Sequence, residues 1–185
     1  SCDSSILFSD LEISSDPEFS QYLNQYDVIY LDITWFISTV QNIKNIIPYL
    51  QEQVIEELCH TYPLHENTHS LPLALAKISE LSGHKFIIII DEWDALFREV
   101  KEAEDVQKEY LQLLRGLFKS SLTDKMIEGA YITGILPIKK YGTQSALTDF
   151  REYTMLQPKK LAKYTGFTET EVKLLCQDYG MDFEE

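Results

Sequence analysis

The fold is decided by the stretch Phe86-Ile87-Ile88-Ile89-Ile90-Asp91-Glu92, which contains the most apolar run in the chain. Consecutive β-branched isoleucines predict a strand rather than a helix. A continuous apolar run further predicts that both faces of this strand are buried, as in a parallel sheet covered by helices. The stretch therefore predicts an α/β protein, with two carboxylates placed where the strand ends.

Other elements follow from hydrophobic periodicity and from end signals such as Gly83 and the capping box at Thr168–Glu171. Strands are predicted at 28–33 and 130–133, with a fourth at 153–156. Helices are predicted at 16–25, 41–61 (with Pro48 as an alternative start), 71–82, 92–101, 104–121 and 168–178. This alternation predicts α/β architecture: a mostly parallel, three-layer sheet with a small C-terminal helical segment.

The composition is that of a globular chain with a strongly acidic balance. Of its 185 residues 44% are hydrophobic, and the formal net charge is −14, which makes nucleic acid and anionic membranes unfavourable partners. The locally basic window 139–163 is interpreted as a solvated face or as an anion-contacting edge. Three scattered cysteines without a CxxC, no apolar run of about 18 residues and no basic leader predict a cytoplasmic protein without a membrane span.

Asp91 and Glu92 are the residues best placed to carry chemistry. Ligands of open α/β sheets bind beyond the carboxyl ends of the strands, and adjacent carboxylates there favour a bound cation or water. As in P-loop ATPases, Asp91 would hold Mg²⁺ and Glu92 would be the catalytic residue that polarises the attacking water. The alternative is that Asp91 only caps the following helix, with Asp94 at the third helical position.

Thr133 ends the next predicted strand and is expected beside the two carboxylates. It is predicted to be a sensor-like residue for the γ-phosphate; alternatively, the strand merely stops at Gly134. No phosphate-binding loop G-x-x-x-x-G-K-[ST] occurs, because the one correctly spaced glycine pair, Gly129 and Gly134, is followed by Ile-Leu. We therefore expect no ATP hydrolysis without an upstream P-loop, and we assign no cofactor-binding residue.

Several segments, in this order, resemble one family. They are YLNQYDVIYLD (22–32), FIIIIDEWDALF (86–97), YITGILPIKK (131–140), TQSAL (143–147), YTML (153–156) and GFTETEV (166–172). Together they resemble the AAA-ATPase-like family of predicted bacterial ATPases. The resemblance implies a truncated P-loop ATPase core over 1–160, the start of a lid-like helical segment over 161–185, and Mg²⁺ and ATP as cofactors.

The same resemblance implies roles for individual residues and for the rest of the protein. Asp91 takes the Mg²⁺ role, Glu92 the water-activating role and Thr133 the sensor-like position, whereas Trp93 and Asp94 match the motif without an assignable role. A P-loop is expected upstream and a nuclease-like domain downstream in the full-length protein.

A second motif is His65-Glu66-Asn67-Thr68-His69, which matches the zinc-peptidase pattern H-E-x-x-H. The motif works on a helix, but prolines 63 and 72 bracket it and its central residues are poor helix formers. A zinc metalloprotease therefore stays a remote alternative, behind an adventitious metal site in a loop.

Two expectations concern partners. Without an upstream strand, the strand at 86–90 would present an unpaired apolar edge, which predicts a homodimer through this edge unless the strand order differs. The alternative function is a non-catalytic protein-docking module on an ATPase-like fold.

Overall fold

The computed structural model of the chain describes residues 3–64, 68–100, 102–136, 150–154, 156–162 and 166–183. It contains two compact units, Ser1–Thr148 and Asp149–Glu185. Among the described residues, the first unit holds the sheet and most helices, and the second holds a 3-10 helix, Lys159–Leu161, and an α-helix, Glu169–Asp178. The functional division predicted at residue 160 stays a prediction.

The sheet has three described strands: β1 (Asp27–Asp32), β2 (Phe86–Asp91) and β3 (Ile127–Ile132). They run parallel in the order β1-β2-β3, so β2 is central. The predicted α/β class with a parallel sheet is thereby confirmed. The expectation of a free edge on the strand at 86–90 is wrong, because β2 bonds to a strand on each side.

Eight α-helices are described: α1 (Phe19–Tyr22), α2 (Ile33–Thr39), α3 (Ile46–Cys59), α4 (Leu71–Ser82), α5 (Ala95–Glu99), α6 (Glu104–Phe118), α7 (Thr123–Met126) and α8 (Glu169–Asp178). Short 3-10 helices lie at Ser5–Phe8, Glu12–Ser15, Ile43–Asn45 and Lys159–Leu161. None of the helices in the described ranges is long and apolar enough to cross a membrane.

Strong local end signals located helices well. Helix α4 ends at Gly83, whose φ of +74° is the left-handed conformation that glycine adopts without a Cβ penalty. Helix α8 begins with the predicted capping box, in which Thr168 and Glu171 bond reciprocally. In α3 the proline at position 48 lies in the first turn, where its missing N–H is harmless.

Helix α2 was missed because its sequence, ITWFIST, is rich in β-branched and aromatic residues with modest helix propensity. Two features outweigh propensity here. The side chain of Asp32 accepts a hydrogen bond from the backbone N–H of Trp35 at 3.0 Å, and Ile33 and Phe36 are buried. The helices predicted at 16–25 and 92–101 are shorter than expected, at Phe19–Tyr22 and Ala95–Glu99.

The two faces of the sheet differ. One face carries fully buried apolar residues of the core, among them Leu31, Phe86, Ile88 and Ile90. On the other face Val28, Tyr30 and Tyr131 are 59%, 57% and 51% exposed. The prediction that β2 is buried on both faces is therefore wrong for Ile87 and Ile89, which are half-buried.

The predicted third layer is incomplete over the described residues. A groove on the more open face is lined by Phe8, Phe19 and Tyr22 of the N-terminal segment together with Val28 and Ile87 of the sheet. This segment covers the amino-terminal end of that face and leaves the tyrosines near its carboxyl end accessible.

The fourth strand predicted at 153–156 is not found among the described residues of that range. Thr154 instead forms an isolated antiparallel bridge with Gln157, and the backbone N–H of Gln157 donates to the carbonyl of Thr154 at 2.9 Å. Such a short separation closes a turn rather than extending a sheet. Met155 lies outside the described residues.

Candidate functional site

Three predicted polar residues meet at the carboxyl edge of the sheet. Asp91 is the last residue of β2 and Glu92 follows it. The backbone N–H of Thr133, which follows β3, donates to the carbonyl of Ile90 at 2.9 Å and brings Thr133 beside Asp91. Asp32, at the end of β1, is the register partner of Asp91. The parallel register therefore gathers the ends of all three strands in one place.

The carboxylate of Asp91 accepts three hydrogen bonds. The hydroxyl of Thr133 and the backbone N–H of Glu92 (3.1 Å) donate to Oδ1, and the hydroxyl of Tyr30 donates to Oδ2 at 2.9 Å. These bonds, that from Thr133 above all and then that from Tyr30, hold the pKa of Asp91 below its usual 3.8. Asp91 is thus a fixed carboxylate at neutral pH.

This arrangement argues against the alternative that Asp91 only caps a helix. The next helix, α5, begins at Ala95, and no side-chain capping bond is made at its start. None of the three bonds to Asp91 comes from a backbone N–H of α5. The carboxylate is therefore held by Tyr30 of β1, by Thr133 after β3 and by the next backbone N–H, and not by a helix terminus.

Glu92 leaves the strand in an unusual conformation. Its φ is +52°, in the left-handed region that is uncommon for residues other than glycine. Its N–H points at Asp91 Oδ1 and, at 3.4 Å, at the hydroxyl of Thr133. The carboxylate, whose side chain is 38% exposed, forms an ion pair with Arg98. Glu92 therefore projects beside Asp91 and is partly accessible.

Asp94 and Trp93, to which the family resemblance assigned no role, build the floor of the site. Asp94 is fully buried, and its carboxylate accepts from the backbone N–H groups of Ile135 (3.3 Å) and Leu136 (2.9 Å) and from Arg98 Nε (3.0 Å). Trp93 is buried, and its backbone N–H donates to the carbonyl of Thr133 at 3.0 Å. Both residues fix the segment after β3 against β2.

Arg98 and Tyr30 are site residues that sequence reasoning missed. The i,i+4 spacing of Asp94 and Arg98 is a signal that could have indicated their pairing. No local signal links Tyr30 to Asp91, because they lie 61 residues apart and meet only through strand pairing.

Gly134 lies so close to this floor that a side chain does not fit. A Cβ there would lie 2.5 Å from both Asp94 Oδ1 and Trp93 Cδ1. We expect Gly134→Ala to lower the free energy of unfolding by about 2 kcal/mol, since buried neighbours would have to shift. Urea unfolding would measure it, with Gly129→Ala as the control, because there a Cβ meets only Ile87 Cδ1 at an ordinary 3.4 Å. Equal stability of both variants would contradict the tight fit.

Thr133→Val tests the main cause of the lowered pKa of Asp91. Without the hydroxyl, we expect that pKa to rise toward 3.8. A pKa that is lowered in the folded state contributes stability above about pH 4, and this stability is lost as the pH falls through the folded-state pKa. The unfolding free energy of the variant should therefore decrease less steeply than that of the wild type as the pH is lowered. NMR titration of the side-chain carboxyl carbon would show the shift, and Thr39→Val, whose hydroxyl bonds to the carbonyl of Trp35, is the control. An unchanged pKa would count against the bond.

The donor set suits a magnesium ion shared with a ligand better than a closed metal cage. Mg²⁺ keeps several waters and is typically bound by one or two carboxylates together with substrate phosphates, and Asp91 could serve as one of them. Over the described ranges, no group of three or more His, Cys, Asp and Glu side chains is placed to hold a metal. His65 and Glu66 of the predicted zinc motif lie outside the described residues.

Fold and site together define an α/β protein with paired carboxylates at the carboxyl edge of a parallel sheet. The chain belongs to the AAA-ATPase-like family, described as Predicted AAA-ATPase, whose profile matches residues 2–143. The family proposed from the sequence is thereby confirmed. No curated protein matches the chain at a significant level, and neither does any solved structure.

Proposed function

We propose that this chain supplies the magnesium-binding and water-activating carboxylates, the Walker B pair, of an ATPase with a P-loop type fold. The observation that carries the proposal is the ordered carboxylate of Asp91, held by three donors at the carboxyl edge of the sheet beside Glu92. Ligands of open parallel sheets bind at this edge. Membership of a family described as Predicted AAA-ATPase supports the same reaction.

Each residue has a distinct task in this proposal. Asp91 would hold Mg²⁺, and Glu92 would accept a proton from the water that attacks the γ-phosphate. Thr133 holds Asp91 through its hydroxyl and is close enough to Glu92 N–H to relay a change at the phosphate. When bound, Mg²⁺ would neutralise charge at the transferring phosphoryl group.

Glu92 needs one rearrangement before it acts as a base. Arg98 donates to Glu92 Oε2, so that oxygen must give up the bond before it takes a proton. Because Arg98 also bonds to the buried Asp94, it stays in place when Glu92 turns away. The proposed chemistry therefore involves rotation of the Glu92 side chain rather than movement of α5.

Nucleotide binding is proposed to require a P-loop upstream of these residues. These 185 residues hold no G-x-x-x-x-G-K-[ST] pattern. Such a pattern supplies the backbone cradle and the lysine for the β- and γ-phosphates. A further strand and helix would have room to pack on this sheet. The places are the half-open face that carries Val28 and Tyr131, and the outer side of β3.

Calorimetric titration of Mg·ATP into the 185-residue chain and into a version extended upstream through the P-loop tests the proposal. Binding by the longer chain alone is expected. If neither chain binds, the ATPase proposal fails. Binding by the short chain alone would also overturn it, because the phosphate cradle would then lie within these residues.

A protein-docking module is the second candidate, favoured by the exposed apolar side chains on the open sheet face. In that case Asp91→Ala and Glu92→Ala would leave partner binding unchanged. The homodimer predicted from the sequence also remains a proposal, now through an outer edge of β1 or β3 instead of β2. A monomeric mass in light scattering would contradict the dimer.

A further inference from the structure

Tyr30 is an exposed residue whose hydroxyl nevertheless bonds to Asp91. It lies in the middle of β1 on the open face of the sheet, in the row Tyr30–Ile89–Tyr131 set by the strand register. Asp32 and Asp91 form the next register pair toward the carboxyl edge. The phenol reaches forward into that row, and its hydroxyl lies 2.9 Å from Asp91 Oδ2.

The two oxygens of Asp91 are not equally occupied. An ionised carboxylate offers about four acceptor positions, two on each oxygen. Oδ1 accepts from the hydroxyl of Thr133 and from the N–H of Glu92, so both of its positions are in use. Among the described residues only Tyr30 donates to Oδ2, which leaves one position on Oδ2 for a further donor.

The direction of that remaining position depends on Tyr30. The phenol donates at 2.9 Å and so determines which lone pair of Oδ2 is occupied. The other lone pair is then the one that faces an incoming ligand. The phenol is the donor in this bond and Asp91 Oδ2 is the acceptor.

We propose that Tyr30 is a positioning residue for magnesium: it directs the last free lone pair of Asp91 Oδ2 toward a water bound to the metal. This inference rests on the proposed function, because it needs Asp91 to face a hydrated cation. Mg²⁺ dehydrates reluctantly and keeps several waters, so a carboxylate oxygen with one aimed acceptor position matches a hydrated ion.

Tyr131 provides a matched control on the same face. It is the partner of Ile89 on the opposite side from Tyr30, and it is similarly exposed, at 51% against 57%. Over the described ranges its hydroxyl makes no hydrogen bond. The substitutions Tyr30→Phe and Tyr131→Phe each remove one oxygen from an exposed ring, so a difference between them reports the bond to Asp91.

The experiment is a titration of the 185-residue chain with Mn²⁺, a paramagnetic stand-in for Mg²⁺, followed by NMR line broadening of the Glu92 and Thr133 amides. We expect the Mn²⁺ concentration for half-maximal broadening to rise roughly threefold to tenfold in Tyr30→Phe, the range for loss of one hydrogen bond. It should be unchanged in Tyr131→Phe. Urea unfolding of both variants at the same pH checks that each stays folded; a purely structural role of Tyr30 would lower the stability of Tyr30→Phe without changing its Mn²⁺ midpoint.

The variant Asp91→Asn tests metal binding by Asp91 separately from the positioning role of Tyr30. If this variant keeps the wild-type broadening, Asp91 is not the metal-facing group, and the proposed function fails together with the role of Tyr30. If Asp91→Asn loses the broadening while Tyr30→Phe behaves as Tyr131→Phe, only the role of Tyr30 is overturned. Loss in Asp91→Asn and weakening in Tyr30→Phe alone supports both.

Discussion

The Asp94→Ala variant is expected to lose about 3 kcal/mol of unfolding free energy, the usual scale for removing one partner of a buried charged pair. Asp94 is fully buried and accepts from Arg98 and from the backbone N–H groups of Ile135 and Leu136. Alanine removes this buried acceptor from all three donors, and the loss of a buried hydrogen-bonding partner is costly. Chemical denaturation followed by far-UV circular dichroism would measure the loss.

Two further variants serve as controls for Asp94→Ala. Asp105→Ala removes a carboxylate that is 97% exposed and pairs only loosely with Lys108, so its effect should stay within about 0.5 kcal/mol. Asp94→Asn keeps an acceptor oxygen but not the charge, and should fall between the two. Wild-type stability of Asp94→Ala would mean that the segment after β3 is not fixed by this carboxylate.

The largest expected effect on activity is that of Glu92→Gln. In the protein extended through the P-loop, we expect hydrolysis of ATP to fall at least about 100-fold, the lower end for loss of a general base. Binding of Mg·ATP should persist, because Asp91 and its three donors are untouched. Single-turnover hydrolysis and calorimetric binding, measured on the same preparation, would separate the two.

Glu99→Gln is the matched control for this variant. Glu99 also pairs with Arg98, at 4.0 Å, and its side chain is 43% exposed, close to the 38% of Glu92. It lies at the end of α5, away from the strand edge. If Glu92→Gln hydrolyses ATP at the wild-type rate, or if Glu99→Gln loses as much activity, Glu92 is not the general base.

The sequence predicted those parts of the fold and site that depend on local pattern. The isoleucine run located the central strand, Gly83 and the capping box at Thr168 located helix ends, and the strand–carboxylate junction located Asp91 and Glu92. These signals are carried by a few adjacent residues, so one sequence is enough to read them.

Features that depend on contacts between distant segments were not predictable. The bond from Tyr30 to Asp91 requires strand order and register, and the role of Asp94 requires the N–H groups of a segment 41 and 42 residues away. Helix α2 was missed because burial of Ile33 and Phe36 overrides the modest helix propensity of its residues. The half-buried state of Ile87 and Ile89 depends on what covers the sheet, which the run of isoleucines does not encode.

The left-handed backbone at Glu92 has a consequence for how this protein would respond to engineering. A non-glycine residue at φ +52° costs on the order of 1 kcal/mol relative to glycine, which adopts this conformation freely. Heat-resistance screens reward whatever relieves such strain, without regard to the side chain that is lost. Directed evolution for thermostability alone would therefore favour glycine at this position, and it would discard the carboxylate on which the proposed chemistry depends.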